Sequence, residues 1–167
     1  IDVTACNYDS GATADDGSCT YAVANYDCNG DCLNGGVTVD YTAGSYASEN
    51  SFTITDCDGQ VLASMVDGLG FAECVVLPAV YSVNLFDSYG DTWNGGTLTI
   101  DGVVYDQPTT GPSSTGASDS YQVGVCPVLG CTDAAAANYN ALADTDDGSC
   151  TYGIPGCIDV TACNYDS

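Results

Sequence analysis

Between residues 37 and 125, apolar and polar side chains alternate over short runs separated by Gly, Asp and Ser. Ser51-Phe52-Thr53-Ile54-Thr55 and Thr97-Leu98-Thr99-Ile100 each place apolar residues on one face and hydroxyls on the other. That period of two is the mark of a strand buried on one side. Runs at 37–42, 51–56, 60–66, 72–77, 81–86, 97–101, 103–105 and 120–125 therefore predict about eight strands. Strands so short and so closely spaced fold as an antiparallel β-sandwich or jelly roll. The stretch 107–120, QPTTGPSSTGASDS, predicts a solvated loop whose hydroxyls offer places for O-glycans.

The flanks have no such pattern. Residues 1–36 and 126–157 are rich in Asp, Asn, Gly and Cys, which is turn chemistry. Segments this short cannot bury a core of their own, so they predict small, loop-dominated modules held by disulfides and ions. The expected fold is thus mainly β, a sandwich over 37–125 flanked by modules at 1–36 and 126–157. Little helix is expected beyond a turn around 134–137.

Charge narrows the function. The 167 residues contain no Lys, Arg or His against 23 acidic residues, all Asp except Glu49 and Glu73, for a net charge of -23. Without a cation the chain cannot neutralise phosphates, which excludes nucleic acid as a partner. It also has no basic patch for an anionic membrane. The residues that serve as general bases, Schiff-base amines or oxyanion donors are mostly missing, so no enzyme is expected. Asp9-Ser10-Gly11 matches half of an aspartic-protease motif, but the second copy of its module reads Asn140-Ala141-Leu142, and such enzymes need two facing Asp. No apolar run approaches the roughly 18 residues of a membrane span, and no secretory leader pattern is present, as expected of a mature piece or an internal fragment.

The 11 Cys without any His do not form a zinc pattern. They predict disulfides in an oxidising, extracellular setting.

Repetition organises the chain. IDVTACNYDS occurs at 1–10 and again at 158–167, a period of 157 residues. A second relation lies inside the period. CTDAAAANYNALADTDDGSCTY at 131–152 matches Cys157 followed by residues 1–21 at 13 of 22 positions. The expected reading is a window on a tandem array, with 158–167 beginning the next period. The motif that repeats is flanked by Cys, which predicts Cys131–Cys150 within one module and Cys19 with the Cys157 of the preceding period. Cys57–Cys74 is expected as a cross-strand bridge, and the pairings of Cys6, Cys28, Cys32 and Cys126 stay open.

The pattern Gly-Cys-x-Asp-x-x-Ala-x-Asn-Tyr, closing on Asp-Asp-Gly-Ser-Cys-x-Tyr, resembles a repeat of secreted and surface proteins of marine bacteria. It stands here at 130–152, and again at 156–167 continued through 11–21. Asp87-Ser-Tyr-Gly-Asp-Thr-Trp-Asn-Gly-Gly96 is similar to a loop of β-sandwich domains in such proteins, with Thr92 where that pattern has Gly. The resemblance implies an extracellular array or adhesin.

Calcium is the expected cofactor, because closely spaced Asp and Asn around Gly supply the oxygen ligands of a hard cation. Candidate ligands are Asp133, Asn138, Asn140, Asp144, Asp146 and Asp147 in one module, and Asp2, Asn7, Asp9, Asp15 and Asp16 in the other. Oxygen-bearing side chains recur at matched positions. Asp87, Asp91 and Asn94, and also Asp27, Asn29 and Asp31, are further candidates. A filament or stalk on the cell surface, made of self-associating periods, is the expected function. The alternative is a calcium-dependent adhesin that binds glycans or surfaces through 87–96.

Overall fold

A computed structural model describes residues 2–112, 115–153 and 161. Cys157, the expected partner of Cys19, and all but one residue of the second IDVTACNYDS lie outside the described residues. The chain divides into two compact units, Ile1–Gly124 and Val125–Ser167.

The first unit contains β1 (Val37–Thr42), β2 (Asn50–Thr55), β3 (Val61–Met65), β4 (Ala72–Val75), β5 (Tyr81–Asp87), β6 (Thr97–Ile100), β7 (Val103–Tyr105) and β8 (Ala117–Val123). They form two four-stranded antiparallel sheets, ordered β4-β1-β6-β7 and β3-β2-β5-β8. The alternation in the chain decides what each strand buries. Asn50, Phe52 and Ile54 of β2 face inward, as do Leu98 and Ile100 of β6. Val39, Leu98 and Ile100 from one sheet meet Phe52, Ile54, Val83 and Leu85 from the other in a shared core. Burying each such side chain contributes about 1.5–3 kcal/mol.

Trp93, 1% exposed, enters this core from the loop after β5. Its indole N–H donates to the Phe86 carbonyl at 2.9 Å, and its ring meets Tyr41 edge-on at 5.6 Å. The chain beside it has no room for a side chain at Gly44. A Cβ there would collide with the Gly96 nitrogen and with the Trp93 and Asn94 carbonyls.

Two expectations change. Strand β8 starts at Ala117, inside the stretch expected to be loop. Its pairing runs the full length of β5, from Tyr81↔Val123 to Asp87↔Ala117, and Asp119 takes hydrogen bonds from the Thr109 N–H and hydroxyl. The second change is a bridge. Cys74 pairs with Cys32, not Cys57, and Cys6 pairs with Cys28. Although β3 and β4 are consecutive, they belong to opposite sheets. Cys57 sits in the turn joining β2 to β3, where Asp56 caps the Asp58 and Gln60 N–H groups, whereas Cys74 lies on β4, which pairs with β1 in the other sheet. Cys57 is itself disulfide-bonded. The Cys32–Cys74 bond ties the loop region before β1 to the sandwich.

In the second unit, β9 (Leu129–Gly130) runs parallel to β10 (Thr145–Asp146). Cys131 follows β9 and bonds to Cys150, as the repeated motif predicted; Cys126 is also disulfide-bonded. So many bridges belong to an oxidising setting. Among the described residues, no helix is long and apolar enough to cross a membrane.

Candidate cation site and the repeated cysteine modules

The acidic and amide side chains that the repeated motif shares between its two copies each have a local task, and the tasks match at an offset of 131. The Asp2 carboxylate accepts the Thr4 N–H at 2.9 Å, and Asp133 accepts that of Ala135 at 2.8 Å. Asp9 and Asn140 do the same for Gly11 and Leu142. Asp15 and Asp146 serve Gly17 and Gly148, while Asp16 and Asp147 serve Ser18 and Ser149. These are Asx turns, in which a short side chain replaces a backbone acceptor.

Asn7 and Asn138 act over longer range. Asn7 donates to the Ser18 carbonyl and accepts the Thr20 N–H; Asn138 donates to Ser149 and accepts from Thr151. Tyr21 and Tyr152 close the modules, their hydroxyls donating to Asp2 at 3.0 Å and Asp133 at 2.6 Å. With almost no core beneath them, the modules depend on these bonds for their shape; Ala5 and Ala136 are their matched buried alanines. The same turn chemistry appears at Asp27, whose carboxylate accepts the Asn29 and Asp31 N–H groups. Asp144 accepts the Val128 N–H. Recurrence of oxygen-bearing side chains therefore has a structural cause that does not require an ion.

These bonds favour ionised carboxyls. The Thr4 N–H and hydroxyl, then the Tyr21 hydroxyl, hold Asp2 below the usual aspartate range. The Tyr152 hydroxyl, then the Ala135 N–H, do so for Asp133. In return the Asp2 carboxylate pushes the Tyr21 phenol up to about 12.

Three carboxylates converge elsewhere. Oxygens of Glu49, Asp87 and Asp91 lie within 4.8 Å of one another, the one such group among the described residues. The loop after β5 builds this arrangement. Asp87, fully buried at the end of β5, accepts the Tyr89 and Gly90 N–H groups on one oxygen and the Asp91 N–H on the other. Asn94 donates to the Asp91 carboxylate at 2.9 Å. Glu49 ends a 3-10 turn, Ala47–Glu49, immediately before β2. Register places Asn50 opposite Asp87. Of the loop candidates, Asp87 and Asp91 come together, and Asn94 supports Asp91 from outside. Glu49 was not among the sequence candidates, because only strand pairing carries it across the intervening residues.

Three like charges repel strongly at this range, well inside a Debye length of about 8 Å. The chain has no Lys, Arg or His side chain to relieve them. Partial burial, then the charges of Asp87 and Asp91, push the Glu49 carboxyl above the usual glutamate range. The cluster can be neutralised by a proton or by a cation from solution. Exposed Tyr46 and Tyr89 line the same cleft with Glu49 and Asp91.

The two kinds of carboxyl give opposite pH dependence. Glu49, raised in the fold, contributes stability that is full below its ordinary value of 4.5 and lost as pH rises through its folded value. Asp2 and Asp133, depressed in the fold, contribute stability that is present above 3.8 and lost as pH falls through their folded values. Thermal unfolding followed by circular dichroism is expected to show stability rising from neutral pH towards about 4.5 and falling below about 3.8. Glu49→Gln is expected to reduce the rise and leave the acid-side fall intact.

The loop also carries strain. Thr92, at the place where the resembling pattern has Gly, adopts φ 84°. A β-branched residue is poorly tolerated at positive φ, at a cost of about 1–3 kcal/mol. Its hydroxyl accepts the Asn94 N–H at 3.2 Å, which offsets part of this. Thr92→Gly is expected to stabilise the sandwich by about 1 kcal/mol, read as a higher urea midpoint at unchanged slope.

No protein-family model, curated protein or solved structure matches this chain.

Proposed function

We propose that the chain is a period of an extracellular filament or stalk, built by tandem repetition and stabilised by disulfides and calcium. The observation that supports this most is repetition at two scales. The IDVTACNYDS sequence returns after 157 residues, and the module it begins returns within the period with the same set of hydrogen bonds. A chain that uses one connector twice per period is suited to a mechanical task, in which each connector joins self-folding sandwiches. Bridges restrict the unfolded chain, about 3 kcal/mol for a loop of some 15–20 residues.

Calcium in this reading binds the Glu49–Asp87–Asp91 group, where carboxylate oxygens already converge. It would neutralise part of the -23 charge and stabilise only the folded state. Millimolar calcium should raise the unfolding temperature at pH 7, with the gain shrinking near pH 4.5 as protons compete, and Glu49→Gln should remove most of it. An equal calcium response in the variant would reject the assignment. For the filament, electron micrographs of native material should show an axial repeat, and denaturing gels with reductant should keep it at very high mass. Separate globules and a band near 17 kDa would reject it.

One observation favours a second reading, a calcium-dependent adhesin. Tyr46, 68% exposed, and Tyr89, 42% exposed, stand beside the acidic group, where aromatic rings can stack on sugars. A glycan array with and without chelator tests it; binding that ignores chelator, or no binding, argues against this reading.

A further inference from the structure

The second module shows what fills a place that stands open in the first. In the second, β9 lies along β10, with the Thr145 N–H reaching the Val128 carbonyl at 3.3 Å and the Asp147 N–H reaching that of Gly130 at 3.4 Å. Gly130 is buried so tightly that a Cβ would come within 2.9 Å of the Asn140 amide and 3.1 Å of the Ala143 Cβ. Cys131, 1% exposed, then bonds to Cys150.

In the first module the counterparts of the groups that surround β9 and Cys131 line an open cleft of about 300 Å³. Asp9 and Ala12 stand for Asn140 and Ala143, Ala14 and Asp15 for β10, and Cys19 for Cys150. The stretch 13–16 belongs to no strand, and Cys19 is a free, half-buried thiol.

We propose that this cleft is an acceptor groove for residues 154–157, Ile-Pro-Gly-Cys, of a second copy of the period, which enters as a short parallel strand along 13–16 and is fixed by a disulfide from its Cys157 to Cys19. The inference rests on the tandem reading for its biological setting, but its physical content is the groove itself. Four features select this occupant. It has Cys where the template has Cys131 and Gly where the template has the crowded Gly130. It offers carbonyls at 154 and 156, matching the Val128 and Gly130 acceptors. Pro155 falls at the Leu129 position. In the register Thr145↔Leu129 that residue's N–H points away from the neighbouring strand, so proline removes no ladder bond. Lastly, the segment is uncharged, and so it can enter a cleft lined by Asp9, Asp15 and Asp16 without adding repulsion.

The covalent step is thiol–disulfide exchange with a small-molecule disulfide of the oxidising compartment. Cys157 first forms a mixed disulfide with it, releasing one donor thiol. The Cys19 thiolate then attacks the Cys157 sulfur, the new S–S bond forms, and the second donor thiol leaves with the proton that Cys19 gave up. Two protein thiols and one disulfide yield one bridge and two small thiols.

The test uses the full chain with Cys157→Ser, so that its own segment cannot compete by forming the bridge. Three synthetic peptides are activated at Cys as thiopyridyl disulfides: Tyr-Gly-Ile-Pro-Gly-Cys, the same with Ala in place of the Gly matching 156, and a scrambled order ending in Cys. Thiopyridone release gives the rate, and peptide mapping locates the product at Cys19. The native peptide is expected to react at least tenfold faster than the other two. A Cys→Ser version of it should shift the amide signals of 12–16 without any covalent bond. Equal rates for all three peptides, or amide shifts elsewhere, would overturn the proposal. The assay reads docking on one chain, so a positive result beside native material that forms 17 kDa globules would remove the filament and leave the groove standing.

Discussion

Trp93→Ala is expected to cost the sandwich about 3–5 kcal/mol, the range for truncating a large buried aromatic. The indole is 1% exposed and fills the core between the sheets. Its loss empties a cavity, strands the Phe86 carbonyl that accepts its N–H, and removes the edge contact with Tyr41. The effect should also reach the acidic group, because Trp93 and Asp91 lie on the same loop, with the Trp93 N–H anchored on the Gln107 carbonyl. Urea unfolding gives the stability loss, and near-ultraviolet circular dichroism reports whether Tyr41 loses its fixed environment. Trp93→Phe separates the parts: it keeps most of the volume and gives up the hydrogen bond, and should cost about 1–2 kcal/mol. A loss below 1 kcal/mol for the alanine variant would show that the indole is not a core element.

Cys150→Ser is expected to unfold the second module while leaving the sandwich intact. The bridge to Cys131 closes a separation of 19 residues, worth about 3 kcal/mol on the chain-entropy account. The module has little else to set against that loss. Its buried residues are few, its strands have two residues each, and its Asx turns are exposed to water. Hydrogen exchange should show amides of 131–152 losing protection, with β2 and β5 unchanged. Protection that survives in the serine variant would mean that the Asn138 and Tyr152 bonds hold the module without its disulfide.

The strands were legible because alternation is a local signal. Phe52 and Ile54, or Leu98 and Ile100, declare an inward face whatever the partner strand turns out to be. Cys131–Cys150 was legible for a similar reason: the bridge closes one repeated motif, so its two ends are marked by the repeat. The start of β8 was hidden by composition, since Ser118 and Ser120 look like loop residues until β5 supplies their register. Cys32–Cys74 was hidden by topology, because nothing in the order of the strands says that β3 and β4 part company to opposite sheets.

For the candidate site the division is sharper. The sequence by itself determined the charge, the absence of Lys, Arg and His, the repetition, and which faces of β2 and β6 are apolar. It also marked Asp87 and Asp91 as candidates, through the spacing of one loop. Only the tertiary structure brought Glu49 to them, by pairing β2 with β5 so that Asn50 stands opposite Asp87. It also assigned the module side chains to turns, where sequence spacing had suggested ligands. The physical reason is one of range. Alternation, turn chemistry and motif spacing are settled within a few residues of chain, whereas a cluster of like charges is assembled against its own repulsion by the burial and strand pairing of the whole sandwich.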